Sequence, residues 1–537
     1  MHTLPNSLSM AEHGPWQPLH AKAAAAPDED FPAEALVDGA TQRKPLVDEA
    51  DFVVVGSGAA GATAAYHLSS LGHSVIIVEE GPYVRTRAFG NSVADAFRGL
   101  MRDAGMQVVK GKAYMPLLQG RAVGGSTVVN SAIALRAPAE VLDQWSRQFG
   151  LRDACSAEAL SAHYDALERD LSVRSVDAHV LGRNNEMFLA QAERSGFAAT
   201  PMRRYDKGCK GSGRCLTGCP NAAKQGMNVT YVPWALRLGA RLYASCKVQH
   251  VELRGGRAVS VRAVSSTGAP ISLRARHGVL VAASTIQTPG ILARSGVRSR
   301  ALGRHFQMHP GLAVGAVFDA PVQMDIGASQ GAQSLAFRST HKFKLETIAM
   351  QPELAAARIP GAGIALADRL SSLGHVAVWA AQVKADAEGT VGTDLFGRQV
   401  VDYTMTQGDL EATRAAVVTL CKLMFEAGAK EVWPGVFGAE LAMTNMDQVK
   451  QLETLTPSPQ AFSCIASHLF GAARMGPDPR TSVCDLNFEV HGTTGLFVVD
   501  SSVFPTNLGV NPQHTIMAVA RLAASSIAAR ARLHAAA

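Results

Sequence analysis

The sequence predicts a doubly wound α/β domain assembled from discontinuous segments and joined to an α+β domain in which helices cover an antiparallel sheet. Three observations predict it. A buried-strand pattern, Phe52-Val53-Val54-Val55, runs into Gly56-Ser57-Gly58-Ala59-Ala60-Gly61, then an Ala-rich helix ending at Gly72 and a second strand from Ser74 to Val78; this is βαβ grammar within about 30 residues. Short apolar strands of the same kind return at Gly278 to Ala283 and at Gly495 to Val499, the latter ahead of a long final helix from about Pro512. Strands so far apart in sequence point to one parallel sheet built from separate segments. Between residues 310 and 464, Leu312 to Phe318, His375 to Val383 and Gln399 to Met405 are β-rich, followed by an amphipathic helix from Asp409 to Ala427 that ends at Gly428. Longer strands with one helix against them indicate an antiparallel sheet covered on one face.

The 537 residues allow three or four folding units, or two large ones built from non-adjacent pieces, at roughly 150 residues per domain. Charged residues at 18% and hydrophobic ones at 47% describe a well-packed enzyme-like composition. A net charge of +6 spread over this length supplies no basic stripe, which sets nucleic acid aside as a partner. Eight cysteines in so long a chain do not form a disulfide framework of the small secreted kind, so most are expected as free thiols. No basic n-region precedes an apolar run at the N-terminus, and the expected location is cytoplasmic. No stretch approaches 18 uncharged apolar residues, so no transmembrane segment is expected. Residues 1–45 carry neither helix nor strand period and read as an N-terminal arm.

In Gly56-x-Gly58-x-x-Gly61 the first glycine makes the tight turn. The second lets backbone N–H groups approach a pyrophosphate, and the third permits close helix packing, so the phosphates sit on the helix N-terminus together with Ser57, Ala59 and Ala60. The strand that follows ends in Glu79, whose carboxylate can take the adenosine ribose hydroxyls. Glu79 argues against a 2′-phosphate but does not separate NAD from FAD. A second glycine-rich loop, Gly120-Arg121-Ala122-Val123-Gly124-Gly125-Ser126-Thr127-Val128-Val129-Asn130, lies too far on to belong to the same unit. Two such loops imply a long, two-ended cofactor. Backbone amides and Ser126 would reach its pyrophosphate and flavin side, and Asn130 its isoalloxazine or ribityl chain.

With these two motifs, the run from Ala283 to Pro289 and on to Ser295-Gly296, and the block from His468 to Ala518, the chain resembles the glucose–methanol–choline (GMC) oxidoreductases, which bind FAD in a Rossmann-like domain. The second signature departs from the family pattern in carrying Ala283 where Gly is usual. The resemblance implies FAD-binding segments at 46–135, 225–305 and 465–537, and substrate segments at 136–224 and 306–464. It also implies that Val248 meets the adenine through its backbone and that Asp500 contacts the phosphate–ribityl region. Relatives that attach FAD through histidine place it in the loop corresponding to Gly124 to Asn130, which here offers Ser, Thr, Val and Asn, so FAD is expected to be non-covalent.

Oxidising an alcohol requires a base for the hydroxyl proton, and histidine suits that work near neutrality. The family pairs a first His with a second His or Asn, and these map onto His468 and Asn511, with His514 three residues further on. Asn511 before Pro512 also reads as an N-cap followed by Pro at N1. The helix that begins there would direct its positive end, with Pro512, Gln513 and His514, at the flavin. His309 reads as structural, at the crossing into the substrate segment. Cys209, Cys215 and Cys219-Pro220 have neither the spacing nor the fourth ligand of an iron–sulfur or zinc site, so no metal is expected.

The expected activity is FAD-dependent oxidation of a primary apolar or aromatic alcohol to the aldehyde, with O2 or another electron acceptor as co-substrate. The alternatives are a dehydrogenase that passes electrons to a quinone or cytochrome, a non-redox lyase that keeps FAD structurally, and an electron-transfer subunit with a Cys-bound cluster.

Overall fold

The computed structural model describes residues 30–90 and 92–536. Residues 1–29 of the expected N-terminal arm lie outside the described residues. Of the remainder, Leu36–Asp38 (β1) runs parallel to Arg241–Ala244 at one edge of the large sheet.

Leu46–Val55 (β2), Ala59–Ser70 (α1) and Val75–Val78 (β3) form the first βαβ unit. All four residues of β3 are buried, and so are the last four of β2, as strands covered on both faces require. The eight-stranded sheet has the order β1, Arg241–Ala244, β3, β2, Pro270–Val281, Arg257–Ser265, Cys246–Arg254. Its eighth strand, Leu496–Val498, pairs in parallel with the C-terminal end of Pro270–Val281. The three strands foreseen at 52–55, 278–283 and 495–499 therefore lie side by side, with Val279, Leu280 and Val281 between β2 and Leu496–Val498. The final helix, Gln513–Ala536, packs against α1.

The second sheet has six strands in the order Glu431–Trp433, Gly311–Val317, Val376–Val383, Phe343–Thr347, Ala332–Ser334, Thr200–Pro201, antiparallel throughout. Helix Gln407–Glu426 covers it. That helix opens with a capping box, Thr406 Oγ1 accepting from Asp409 N and Asp409 Oδ2 from Thr406 N, and such caps stabilise by about 1 kcal/mol.

One expected strand sits elsewhere. Gln399–Asp402 pairs with Thr390–Thr393 in a separate two-stranded ribbon. The place beside Gly311–Val317 is taken by Glu431–Trp433, and the tight turn at Asp394–Gly397 folds this run back on its own neighbour. Among the described residues no helix is long and apolar enough to cross a membrane.

Candidate active site

The two glycine loops interlock. A Cβ on Gly61 would lie 2.0 Å from the carbonyl oxygen of Gly56, and one on Gly125, whose φ is +55°, would lie 2.8 Å from Gly58 Cα. Only glycines allow this approach. Ser57, fully buried behind the loops, ties them together: its Oγ donates to Glu79 Oε2 (2.7 Å) and accepts from Gly124 N (3.0 Å). Glu79 also accepts from Ser57 N (3.0 Å) and Gly81 N (2.8 Å). Burial pushes its carboxyl above the ordinary range, while these donors oppose the shift.

A cavity of about 1140 Å³ begins at this cradle, above the ~300–1,000 Å³ of ordinary ligand pockets. Of the residues expected at the cofactor, Gly56, Gly58, Ala59, Ala60, Glu79, Gly120, Gly125, Ser126, Asn130, Val248, Asp500, Asn511, Pro512 and Gln513 line it. Ser57, Gly61, Arg121, Gly124 and His514 do not. The residues present suit a long dinucleotide: the N-terminus of α1 leaves backbone N–H groups unpaired at one end, and no Cβ narrows the cleft at Gly58 or Gly125.

Ser126 Oγ accepts from Gly120 N (2.9 Å), and Asn130 Nδ2 donates to Gln513 Oε1 (2.5 Å), which fixes the second loop to the final helix. Arg121 turns outward to Glu80 (3.5 Å). Asp500 is buried and accepts from Ser284 N (3.0 Å), Thr288 Oγ1 (2.7 Å) and Ser502 N (2.9 Å). Ser284 takes φ +83° to reach it, so the left-handed residue of the second signature is Ser284 and not Ala283.

His468 enters the cavity at the start of Leu469–Phe470. That short strand pairs antiparallel with Gln307–Met308 and so brings His309 alongside, with ring centroids 5.5 Å apart and nearly perpendicular. Protein encloses the His468 ring yet leaves part of its surface open to the cavity. Burial pulls its pKa down to about 4; Glu346 opposes the shift and Lys344 adds to it. Burial holds His309 well below its ordinary value too, with His468 adding to the effect.

Asn511 does not cap the final helix as the sequence suggested. The helix begins at Gln513, and it is the carbonyl of Pro512 that accepts from Ile516 N (2.9 Å). Asn511 Oδ1 instead accepts from Lys344 Nζ (2.5 Å), because a buried ammonium is a stronger donor than a neutral backbone N–H. Lys344 also lies 2.9 Å from Glu346 Oε2 and 3.3 Å from Gln333 Oε1. His514 faces away from the cavity, its Nδ1 against Tyr205 Oη (2.8 Å) and its Nε2 against Glu168 Oε1 (3.2 Å).

Lys344, Glu346 and Gln382 were not anticipated as site residues. Two of them alternate on one face of Phe343–Thr347, and Lys344 pairs in register with Gln382. The available signal was charge at alternate positions of a strand that is otherwise apolar. The cavity is also lined by the apolar Leu312, Ile348, Met350, Val378, Trp433 and Phe462, by the polar Gln330, Arg358, Gln460 and Ser463, and by Tyr114 and Phe437, which are 85% and 82% exposed.

The cysteine loop packs behind the second glycine loop. Lys224 Nζ donates to the carbonyls of Val128 (2.6 Å), Asn130 (2.8 Å) and Cys215 (2.7 Å), and Arg204 Nη2 donates to Cys215 Sγ (3.1 Å). Burial alone would raise the Cys215 thiol, but the two cations outweigh it and lower its pKa. All eight cysteines are free thiols. Among the described residues no three His, Cys, Asp or Glu side chains group as metal ligands.

Family profiles described as GMC oxidoreductase match residues 50–311 and 388–520. An uncharacterized GMC-type oxidoreductase of Mycobacterium tuberculosis is 33% identical over 509 residues, covering 94% of this chain and 79% of that protein. A long-chain-alcohol oxidase of Arabidopsis thaliana is 26% identical over 515 residues, covering 89% and 67%. Among solved structures, pyridoxine 4-oxidase from Mesorbium loti superposes with a TM-score of 0.68 at 18% identity, covering 88% of this chain and 98% of the other. Formate oxidase of Aspergillus oryzae gives 0.69 at 16%, covering 91% and 99%.

Proposed function

The chain belongs to the GMC oxidoreductases and is an FAD-dependent oxidoreductase, and on that premise we propose that it oxidises a primary alcohol with an apolar or aromatic body to the aldehyde. The observation that carries this reading is one cavity lined together by the glycine cradle, by His468 and Asn511, and by a majority of aliphatic and aromatic side chains in the substrate region. When bound, FAD supplies the two-electron acceptor.

The protein's own residues do the rest. His468, neutral above about pH 4, takes the hydroxyl proton at Nε2, which has no protein partner among the described residues. Asn511, held through Oδ1 by Lys344, keeps Nδ2 for the substrate oxygen. The apolar wall excludes water and selects for hydrocarbon over polyol. The similarity to a long-chain-alcohol oxidase points the same way. Gly124 to Asn130 contains no histidine, cysteine or tyrosine, which supports non-covalent FAD; acid precipitation is then expected to leave the yellow colour in the supernatant.

A panel of straight-chain, aromatic and polyhydroxy alcohols, assayed with O2 and with an artificial acceptor, tests the reading. The expected result is kcat/KM rising with apolar size, and anaerobic bleaching of the flavin by the best alcohol. Preference for polyols, or no bleaching by any alcohol, would contradict it, the latter favouring the non-redox alternative.

A further inference from the structure

The groups around His468 raise the question of which ring nitrogen carries its proton. Nδ1 lies 2.7 Å from Gln382 Nε2, an amide nitrogen that only donates, and 3.4 Å from His309 Nδ1. His309 Nε2 accepts the backbone N–H of Gly509 (2.9 Å) and lies 3.2 Å from Asn507 Oδ1, an acceptor; with the shorter contact deciding, neutral His309 carries its own proton on Nδ1 and directs it at His468. Two donors facing Nδ1 put the proton of neutral His468 on Nε2. A ring in that tautomer holds a substrate oxygen but takes no proton from it.

A second observation concerns the other end of the same amide. Gln382 is 7% exposed, and its Oε1 is buried with no hydrogen-bond partner among the described residues, a state that folded proteins seldom leave in place. Turning the amide end for end exchanges its two atoms. Oε1 then faces Nδ1 at the same separation and accepts Nδ1–H, the amide nitrogen takes the place that has no partner among the described residues, and the Nε2 lone pair of His468 is left to the cavity. The His309 contact, at 3.4 Å, is the weaker of the two, so the amide decides.

We propose that Gln382 is a positioning residue that sets the tautomer of His468: with Oε1 turned to Nδ1 it holds the ring proton there and leaves Nε2 to receive the alcohol proton. This rests on His468 as the base, as proposed above. The step balances as a proton transfer alone, from the hydroxyl oxygen to Nε2, with Nδ1–H retained on the amide oxygen. The placement is rigid, since Gln382 lies in Val376–Val383 with Gly311 and Lys344 opposite it in the ladder. The charged and titratable groups that act on the ring are His309, Lys344 and Glu346. Because the amide is neutral, it orients the ring without adding a charge that would raise its basicity.

The test reads the tautomer directly, by 15N NMR of the FAD-bound protein labelled at histidine, with the His468 signal assigned by its loss in His468→Gln. The wild type is expected to show an unprotonated, pyridine-like Nε2. Gln382→Glu is expected to keep that tautomer and raise the His468 titration midpoint by about one pH unit or more, as a carboxylate stabilises the cation. Gln382→Met is expected to send the proton to Nε2 and slow anaerobic bleaching by alcohol about tenfold or more, with half-saturation by alcohol changed less than about threefold. Protonated Nε2 in the wild type, or wild-type tautomer and rate in Gln382→Met, would overturn the proposal. If Gln382→Met does not fold, the wild-type spectrum and the Gln382→Glu midpoint still decide. Wild-type bleaching in His468→Ala removes the base reading itself, whereas a slow His468→Ala with an unaffected Gln382→Met removes this inference alone.

Discussion

His468 works as a base only while its ring is neutral, and burial sets that condition far below neutral pH. The expected rate of flavin reduction by alcohol is therefore level above about pH 4 and falls as pH drops through about 4, the sign for a base that protonation disables. An activity loss on the alkaline side instead would indicate an essential acid. The neighbouring ion pair makes a separate prediction. Lys344 is fully buried, Glu346 is 6% exposed, and each is the other's counter-charge. Lys344→Met strands the carboxylate and is expected to cost about 3–5 kcal/mol in urea unfolding, while the double change Lys344→Met with Glu346→Leu recovers most of it. Equal losses in the single and double variants would show that the pair is not coupled. Asn511→Ala is expected to slow flavin reduction less than His468→Ala does and, because the residue does not cap the final helix, to leave that helix intact.

At the scale of elements, the two glycine loops form one unit, joined through Ser57 and Glu79. Gly61→Ala would drive a methyl into the Gly56 carbonyl, a backbone atom that cannot swing aside. The expected outcome is expression with little or no retained FAD, read from the absorbance of the purified protein; normal FAD content would contradict the close Gly56–Gly61 approach within the first loop. The cysteine loop braces the second glycine loop from behind through Lys224. Cys215→Ser is expected to keep flavin reduction within about tenfold, or ~1.4 kcal/mol of barrier, and stoichiometric iron or zinc in the protein would contradict that structural role. These loops were readable in sequence because their glycines are required by local geometry. Lys344, Glu346 and Gln382 were not, because their significance arises only when Phe343–Thr347 and Val376–Val383 pair and face the cavity, a contact between distant segments. Of the two roles the sequence offers Asn511, the cap is not formed for the same reason: the partner of its Oδ1 lies 167 residues away.

For the molecule as a whole, the parallel strands at 52–55, 74–78, 278–283 and 495–499 were legible because each carries its own apolar run and fixed punctuation, whereas the expected parallel sheet is in fact mixed, with Cys246–Arg254 and Arg257–Ser265 antiparallel at one edge. The ribbon at 390–402 was not legible, since an apolar run does not state which neighbour it will pair with. The buried histidines add a prediction about the whole fold. His67 and His468 each have pKa values pulled down to about 4, so between about 4 and 6.5 the unfolded chain binds more protons than the folded one. Stability from these groups is therefore expected to rise with pH across that window and to be lost as pH falls through it, measured as the urea midpoint at fixed ionic strength. A midpoint that is flat from pH 4 to 6.5 would contradict buried, neutral histidines.

The central claim is that His468 takes the alcohol proton at an FAD site shaped for an apolar substrate. Anaerobic mixing of the FAD-bound protein with its preferred alcohol, followed by loss of flavin absorbance, tests it in wild type and His468→Ala side by side. The account predicts that the variant keeps its FAD and reduces it about 10² to 10⁴ times more slowly, the usual contribution of a positioned acid–base group. Reduction at wild-type speed in His468→Ala would contradict it.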